Sequence, residues 1–150
     1  MNTSWYCIHT KRSKERWVAL QLHKSCDEVY LPLLHCQRIV RWWQMIEPLF
    51  PGYLFARFSV RTQLWIVSHT PGVVNVVSTL DGQPLKVDAE IVAILRQRAG
   101  GGYVEIQPAR FLPEKELAGV TGPFQKLRML FQRELGAMER NSILFEVLSV

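Results

Sequence analysis

The side chains with the widest chemical reach in this 150-residue chain are four histidines and three cysteines. His9, His23, His35 and His69 fall in separate predicted elements. No nucleophile–base pair and no Gly-rich phosphate loop joins them. Cys7, Cys26 and Cys36 are odd in number and contain no CxxC, so they read as buried thiols rather than a disulfide framework. His35, Cys36 and Cys26 could be drawn around zinc, but a fourth ligand at workable spacing is not evident. The expectation is a protein with no catalytic residue, no metal and no cofactor, whose chemistry is that of contact.

Two features suit contact. The first is the run Glu47-Pro48-Leu49-Phe50-Pro51-Gly52-Tyr53-Leu54-Phe55-Ala56-Arg57-Phe58. Pro48 and Pro51 fix φ and remove donors, and Gly52 permits a backbone path that a side chain would block. From Tyr53 a strand is predicted, with Tyr53, Phe55 and Arg57 on one side and Leu54, Ala56 and Phe58 on the other. One side can fill a core; the other presents aromatic rings to a partner, or is itself core.

The second is charge. The net charge is +5, and residues 1–60 carry eight Lys/Arg against four Asp/Glu, whereas residues 101–150 carry six of each. A localised basic excess points to a polyanion, most plausibly nucleic acid, or to a solvated basic surface.

The elements that must position these residues follow from periodicity. Trp5–Thr10 is a strand candidate. Ser13 is a plausible N-cap for a helix running to about Ser25, with Glu15, Val18, Ala19 and Leu22 on one face and Lys14, Trp17, Gln21 and Lys24 on the other. Trp17 is expected to support the core, with a contact surface as the alternative. Glu28–Leu33 and Arg38–Arg41 read as strands, Trp42–Ile46 as an apolar turn region, and Tyr53–Ser59 as a strand. A short helix spans 61–69, Thr70-Pro71-Gly72 turns into a strand over 73–78, and Asp88 caps a helix with an Ile91, Ile94 and Leu95 stripe. Strands and helices mix without strict alternation, which predicts an α+β fold with a mostly antiparallel sheet flanked by helices. Gly100-Gly101-Gly102 marks a linker.

Trp5-Tyr6, His9-Thr10-Lys11, the helix with Glu15, Val29-Tyr30-Leu31-Pro32, Pro48-Leu49-Phe50-Pro51-Gly52-Tyr53-Leu54-Phe55, Trp65 and Thr70-Pro71-Gly72-Val73 together resemble the NusG family of bacterial transcription elongation and antitermination factors. Arg38-Ile39-Val40-Arg41 and Glu47-Pro48-Leu49-Phe50-Pro51 further resemble its specialised RfaH-type members. The resemblance implies an N-terminal domain over 1–99, a linker over 100–107, and a KOW-like segment over 108–150. It implies docking on the clamp helices of the largest RNA polymerase subunit, with Tyr53 and Phe55 at the matching pocket positions. A second contact across the cleft would come from the helix bearing Trp65. There Gln63, Leu64 and Trp65 stand in place of the threonine-rich RfaH motif. The non-template DNA strand would meet Lys11 and Lys24; Arg12, Lys14 and Arg16 join them on charge grounds.

The C-terminal segment is expected to be a degenerate, incomplete KOW (SH3-like) barrel, carried by Gly119–Phe124 and a hairpin of Leu127–Arg133 with Ser142–Leu148. Phe124, Leu127, Phe131, Leu135 and Met138 recur at helical spacing, so a helical state stays open. Family membership would let this segment contact the ribosome or a termination factor.

The expected protein is therefore a monomeric, cytoplasmic transcription elongation and antitermination factor and not an enzyme, with RNA polymerase and the non-template strand as partners. No apolar run approaches the roughly 18 residues of a membrane span, and no signal-peptide core precedes the early cations. The rival reading is a stand-alone RNA- or ribosome-binding module.

Overall fold

β1 (Ser4–Thr10) forms because its aromatic and β-branched residues suit a pleated surface buried on both sides. The computed structural model describes residues 2–40, 43–100, 102–105, 127, 130 and 135–148, with the backbone alone given at 36–40, 43–45 and 105. α1 (Glu15–Leu22) follows, then β2 (Glu28–Tyr30), β3 (Leu33–Val40), β4 (Trp43–Pro48) and β5 (Tyr53–Phe58). α2 (Val60–Ser68), β6 (Val73–Val76), β7 (Lys86–Val87), α3 (Ala89–Ala99) and β8 (Val104–Glu105) come next, and α4 (Ala137–Leu148) is the last described element.

The main sheet runs β2-β5-β1-β6, with β7 pairing the same edge of β1 beyond β6. Its pairs are antiparallel, and β1 lies against β5 in the register Ser4 to Phe58 through His9 to Tyr53. A smaller sheet has the order β4-β3-β8, in which β3 and β8 are parallel. The α+β class with a mostly antiparallel sheet is as expected. Val104 and Glu105, within the expected linker, pair with β3.

Alternation along β1 and β5 divides the core. Tyr6, Ile8, Leu54, Ala56 and Phe58 face α1 and α2 through Val18, Leu22 and Val67. Trp5, Cys7 and Phe55 face the other way, toward Ile91, Val92 and Leu95 of α3 and toward α4. The central strands are thus apolar on both sides, and each side has its own helical cover.

Four local expectations change. Glu28–Leu33 is broken at Leu31-Pro32, because Pro32 has no N–H to extend the ladder, and a new strand starts at Leu33. Trp43–Pro48 is a strand rather than a turn region; its partner is β3, from Leu33 opposite Pro48 to Val40 opposite Trp43. Ser13 does not cap α1. It sits at φ +63°, its N–H donates to Glu15 Oε1 at 3.0 Å, and the cap position falls to Lys14 without a side-chain bond. The largest change is in the tail. Ser142–Leu148 is helical rather than the strand of a barrel hairpin, and Leu127 and Leu130 are helical as well. Ile143, Leu144, Val147 and Leu148 are buried, a helical spacing that strand alternation would have split between two faces. Gly119–Phe124 lies outside the described residues.

Asp88 does cap α3, accepting from the Glu90 N–H at 2.9 Å. No described helix is long and apolar enough to cross a membrane.

Candidate functional site

The Pro51-Gly52 pair makes a type II turn. Pro51 supplies its fixed φ, Gly52 adopts φ +85°, and the Tyr53 N–H closes on Phe50 O at 2.9 Å. The turn is held from outside by Glu15, a carboxylate buried in the interior, whose Oε1 also accepts the Gly52 N–H at 3.2 Å. The Thr10 N–H donates to Gly52 O at 2.8 Å. β5 therefore leaves the turn in one direction, and Tyr53 comes to rest against His9, with ring centroids 4.8 Å apart and planes 12° from parallel.

The two expected aromatic anchors have different fates. Phe55 is wholly buried, packed edge-on against Phe50. Tyr53 is half-buried; burial, and secondarily Cys7, pushes its hydroxyl above the usual phenol range. Phe145 of α4 meets the Tyr53 ring at 5.2 Å and 88°, an edge-to-face pair.

α4 is fastened along the Glu47–Tyr53 segment by polar contacts. Arg140, 3% exposed, donates from Nε to Leu49 O at 2.8 Å, from Nη1 to Leu135 O at 2.7 Å and from Nη2 to Glu47 Oε1 at 3.0 Å. Asn141 Nδ2 donates to Pro51 O at 3.0 Å. A guanidinium is buried at tolerable cost only when its donors are satisfied in this way. Arg140 and Asn141 were not singled out from sequence. The available signal was a lone cation set one helical turn before an apolar stripe.

Of the expected nucleic-acid residues, Lys11, Arg12 and Lys14 precede α1, Arg16 lies in its first turn and Lys24 follows its end. Lys11, Arg12, Lys14, Arg16 and Lys24 are all exposed. The Lys11 N–H donates to Gly72 O at 2.8 Å, which ties this basic segment to a second Pro–Gly type II turn, Thr70-Pro71-Gly72-Val73, with Gly72 at φ +91°. Trp17 corrects the expectation of core support. Val18 and Leu22 fill the core, while Trp17 is 44% exposed with its ring against Gly72.

Trp65 is 70% exposed and lies apart from Tyr53 and Phe55, because α2 packs on the opposite side of the sheet through Val67. Its ring stacks on His69 at 4.3 Å and 20°, and His69 Nδ1 lies 2.8 Å from Trp65 O, which holds the imidazole in place. Among the described residues, no group of three or more His, Cys, Asp or Glu could hold a metal ion. The geometry offers an aromatic surface occupied by α4, an exposed basic segment before and after α1, and an open aromatic pair on α2.

A family model described as "Transcription termination factor nusG" matches residues 3–96. Among solved structures, the chain is similar to one titled "Domain interaction in Thermotoga maritima NusG". Sequence identity is 25% and the TM-score 0.53, over 67% of this chain and 59% of that one. The chain thus spans less than two-thirds of that protein's length. No curated protein matches it.

Proposed function

Because the chain belongs to the NusG family of transcription factors, we propose that it binds elongating RNA polymerase and raises its processivity. Tyr53 and Phe55 anchor on the clamp helices of the largest subunit. α2, bearing Trp65, reaches the opposing side of the cleft. The bridge holds the clamp closed and suppresses pausing. The basic edge of Lys11, Arg12, Lys14, Arg16 and Lys24 lies against the non-template DNA strand, where each lysine or arginine neutralises a phosphate.

The observation that carries this reading is the lodging of α4 on the Tyr53–Phe55 surface. A strand whose second side needs the chain's own helix to keep it from water is suited to exchange that helix for another apolar partner. Tyr53 and Phe145 supply the kind of large aromatic contact that dominates interface energetics. In this arrangement α4 competes with polymerase, so the closed chain is the inactive state, as in the RfaH type.

The test is a pausing assay on purified elongation complexes with the full chain and with a chain lacking residues 101–150. The expected result is stronger pause suppression by the shortened chain. Equal, negligible activity of both forms together with no co-purification of polymerase would refute the reading.

A further inference from the structure

Where the main sheet meets the start of α2 there is a cavity of about 660 Å³. Its wall follows from register. Tyr6 lies opposite Lys86 where β1 pairs with β7, and Ser4 lies opposite Phe58 where β1 pairs with β5. Directly opposed residues, and residues two apart on one strand, share a side of a sheet, so Ser4, Tyr6 and Lys86 share one. The Phe58 ring lies 4.8 Å from that of Tyr6, and the chain passes from Phe58 directly into Ser59 and the first turn of α2. Ser4, Tyr6, Lys86, Ser59, Arg61 and Thr62 therefore line one hollow, and no carboxylate lines it.

The fold leaves donors unused along this wall. Ser59 occupies the N-cap of α2 and is of a type that caps well, yet its hydroxyl accepts no N–H of the helix. The first helical bond runs from the Gln63 N–H to Ser59 O at 2.8 Å, so the N–H groups of Val60, Arg61 and Thr62 precede the ladder. No acidic residue stands in that first turn. Ser59 is 6% exposed and Tyr6 is 4% exposed, and neither hydroxyl has a hydrogen-bond partner among the described residues. Buried hydroxyls are ordinarily satisfied; these two are unsatisfied and line the same cavity. Arg61 and Lys86 are exposed beside them, and neither is paired with a carboxylate among the described residues.

We propose that this cavity is a binding site for a phosphoryl anion, either free phosphate or the phosphate of a small phosphorylated molecule. The first-turn N–H groups of α2, the Ser59 and Tyr6 hydroxyls, and the Arg61 and Lys86 side chains hold its oxygens. A helix start joined to two cations and two hydroxyl donors, with no carboxylate in the wall, suits an anion with several acceptor oxygens. The volume is that of a site for a whole small ligand. Occupancy is independent of α4, because Tyr6 faces the side of the sheet that α1 and α2 cover, and α4 covers the other.

The test is amide NMR of the isotope-labelled full chain, titrated separately with inorganic phosphate, guanosine diphosphate and guanosine. Saturable shifts are expected at the Arg61 and Thr62 amides with phosphate and with the diphosphate, and none there with guanosine. Arg61→Ala and Lys86→Ala, both at exposed positions, should each weaken binding about tenfold, as loss of one charge-assisted hydrogen bond does. Lys86→Arg should retain most of the affinity. Tighter binding of the diphosphate than of phosphate supports the site and assigns the rest of the cavity to the remainder of a phosphorylated molecule. Equal binding supports it as a site for the free anion. Shifts at the same amides with guanosine as large as with the diphosphate would overturn the phosphoryl assignment. Absence of shifts at the start of α2 with every probe at millimolar concentration, or undiminished binding by both alanine variants, would refute the site.

Discussion

Arg140 and Glu47, separated by 93 positions in the chain, meet at 3.0 Å with the arginine almost entirely enclosed. Glu47 opens the Pro-Leu-Phe-Pro-Gly segment that feeds β5, and Arg140 lies in the first half of α4. Their pairing joins the tail to the root of the aromatic strand. The same guanidinium also takes Leu49 O and Leu135 O, so one residue reads the backbone on both sides of the junction.

Removing the acceptor should loosen the tail without disturbing the sheet. Glu47→Ala leaves the guanidinium short of one charge-assisted bond, a loss of about 1.5–3 kcal/mol. The open population should rise roughly tenfold to a hundredfold, and apparent affinity for polymerase should rise with it until the open form dominates. Competition binding on purified polymerase measures this. Unchanged affinity would show that the pair does not hold the closed state.

Tyr53 and Phe55 should separate stability from binding. Phe55→Ala empties a fully buried site and should cost about 3–5 kcal/mol in unfolding free energy. Tyr53→Ala removes the stack on His9 and the edge contact of Phe145 at a half-buried position, and should cost less. In a Glu47→Ala background it should nevertheless abolish most polymerase binding, since a large aromatic at an interface commonly contributes about 2 kcal/mol or more. Denaturant melts alongside pull-downs distinguish the two effects.

Gly72→Ala should be damaging for two reasons that add. The residue adopts φ +91°, and the new methyl would lie 2.7 Å from Val18 Cγ2 and within 3.4 Å of Trp17. Strain of this kind costs about 1–3 kcal/mol. The melting temperature should fall, because Val18 and the Trp17 ring must both shift to admit the methyl. Gly52→Ala shares the positive φ but meets nothing closer than 3.7 Å, so its loss should be smaller.

Stability should be flat near neutrality and decline in alkali. Burial raises Cys7 above its ordinary 9.0, raises Cys26 to about 12, and raises Tyr30 and Tyr53 above 10.0. The folded state keeps these protons longer than the unfolded chain does. The contribution is therefore intact below about pH 9 and is lost as pH climbs through the unfolded values toward the folded ones. Thermal melts from pH 6 to 11 should show a plateau followed by a fall.

Much of this was readable in residues. Asp88 announced α3, the two Pro–Gly pairs announced their turns, and alternation from Tyr53 divided two apolar sides that the structure does separate. What escaped has specific causes. β7 and β8 are two residues each, too short to carry a period. Ser13 looked like a cap because its side chain suits one; the backbone instead turned left-handed so that Glu15 could face inward. The tail reads as strand only through its resemblance to the KOW core, against the helical spacing of its own apolar residues. The burial of Leu144, Leu148 and Arg140 shows that the helical period governs. Arg140 itself could not be assigned, since its partners sit more than ninety positions away.

A sheet side that α3 covers only in part cannot stay long in water once α4 has left it. If α4 leaves and no polymerase is at hand, Phe55 and its neighbours are left as an adhesive surface, prone to self-association or proteolysis. Opening would then be safe chiefly beside its target. The hold of Arg140 would set more than whether the protein acts: it would set how long an unemployed molecule survives, making the tail a guard on the protein's lifetime as well as on its activity.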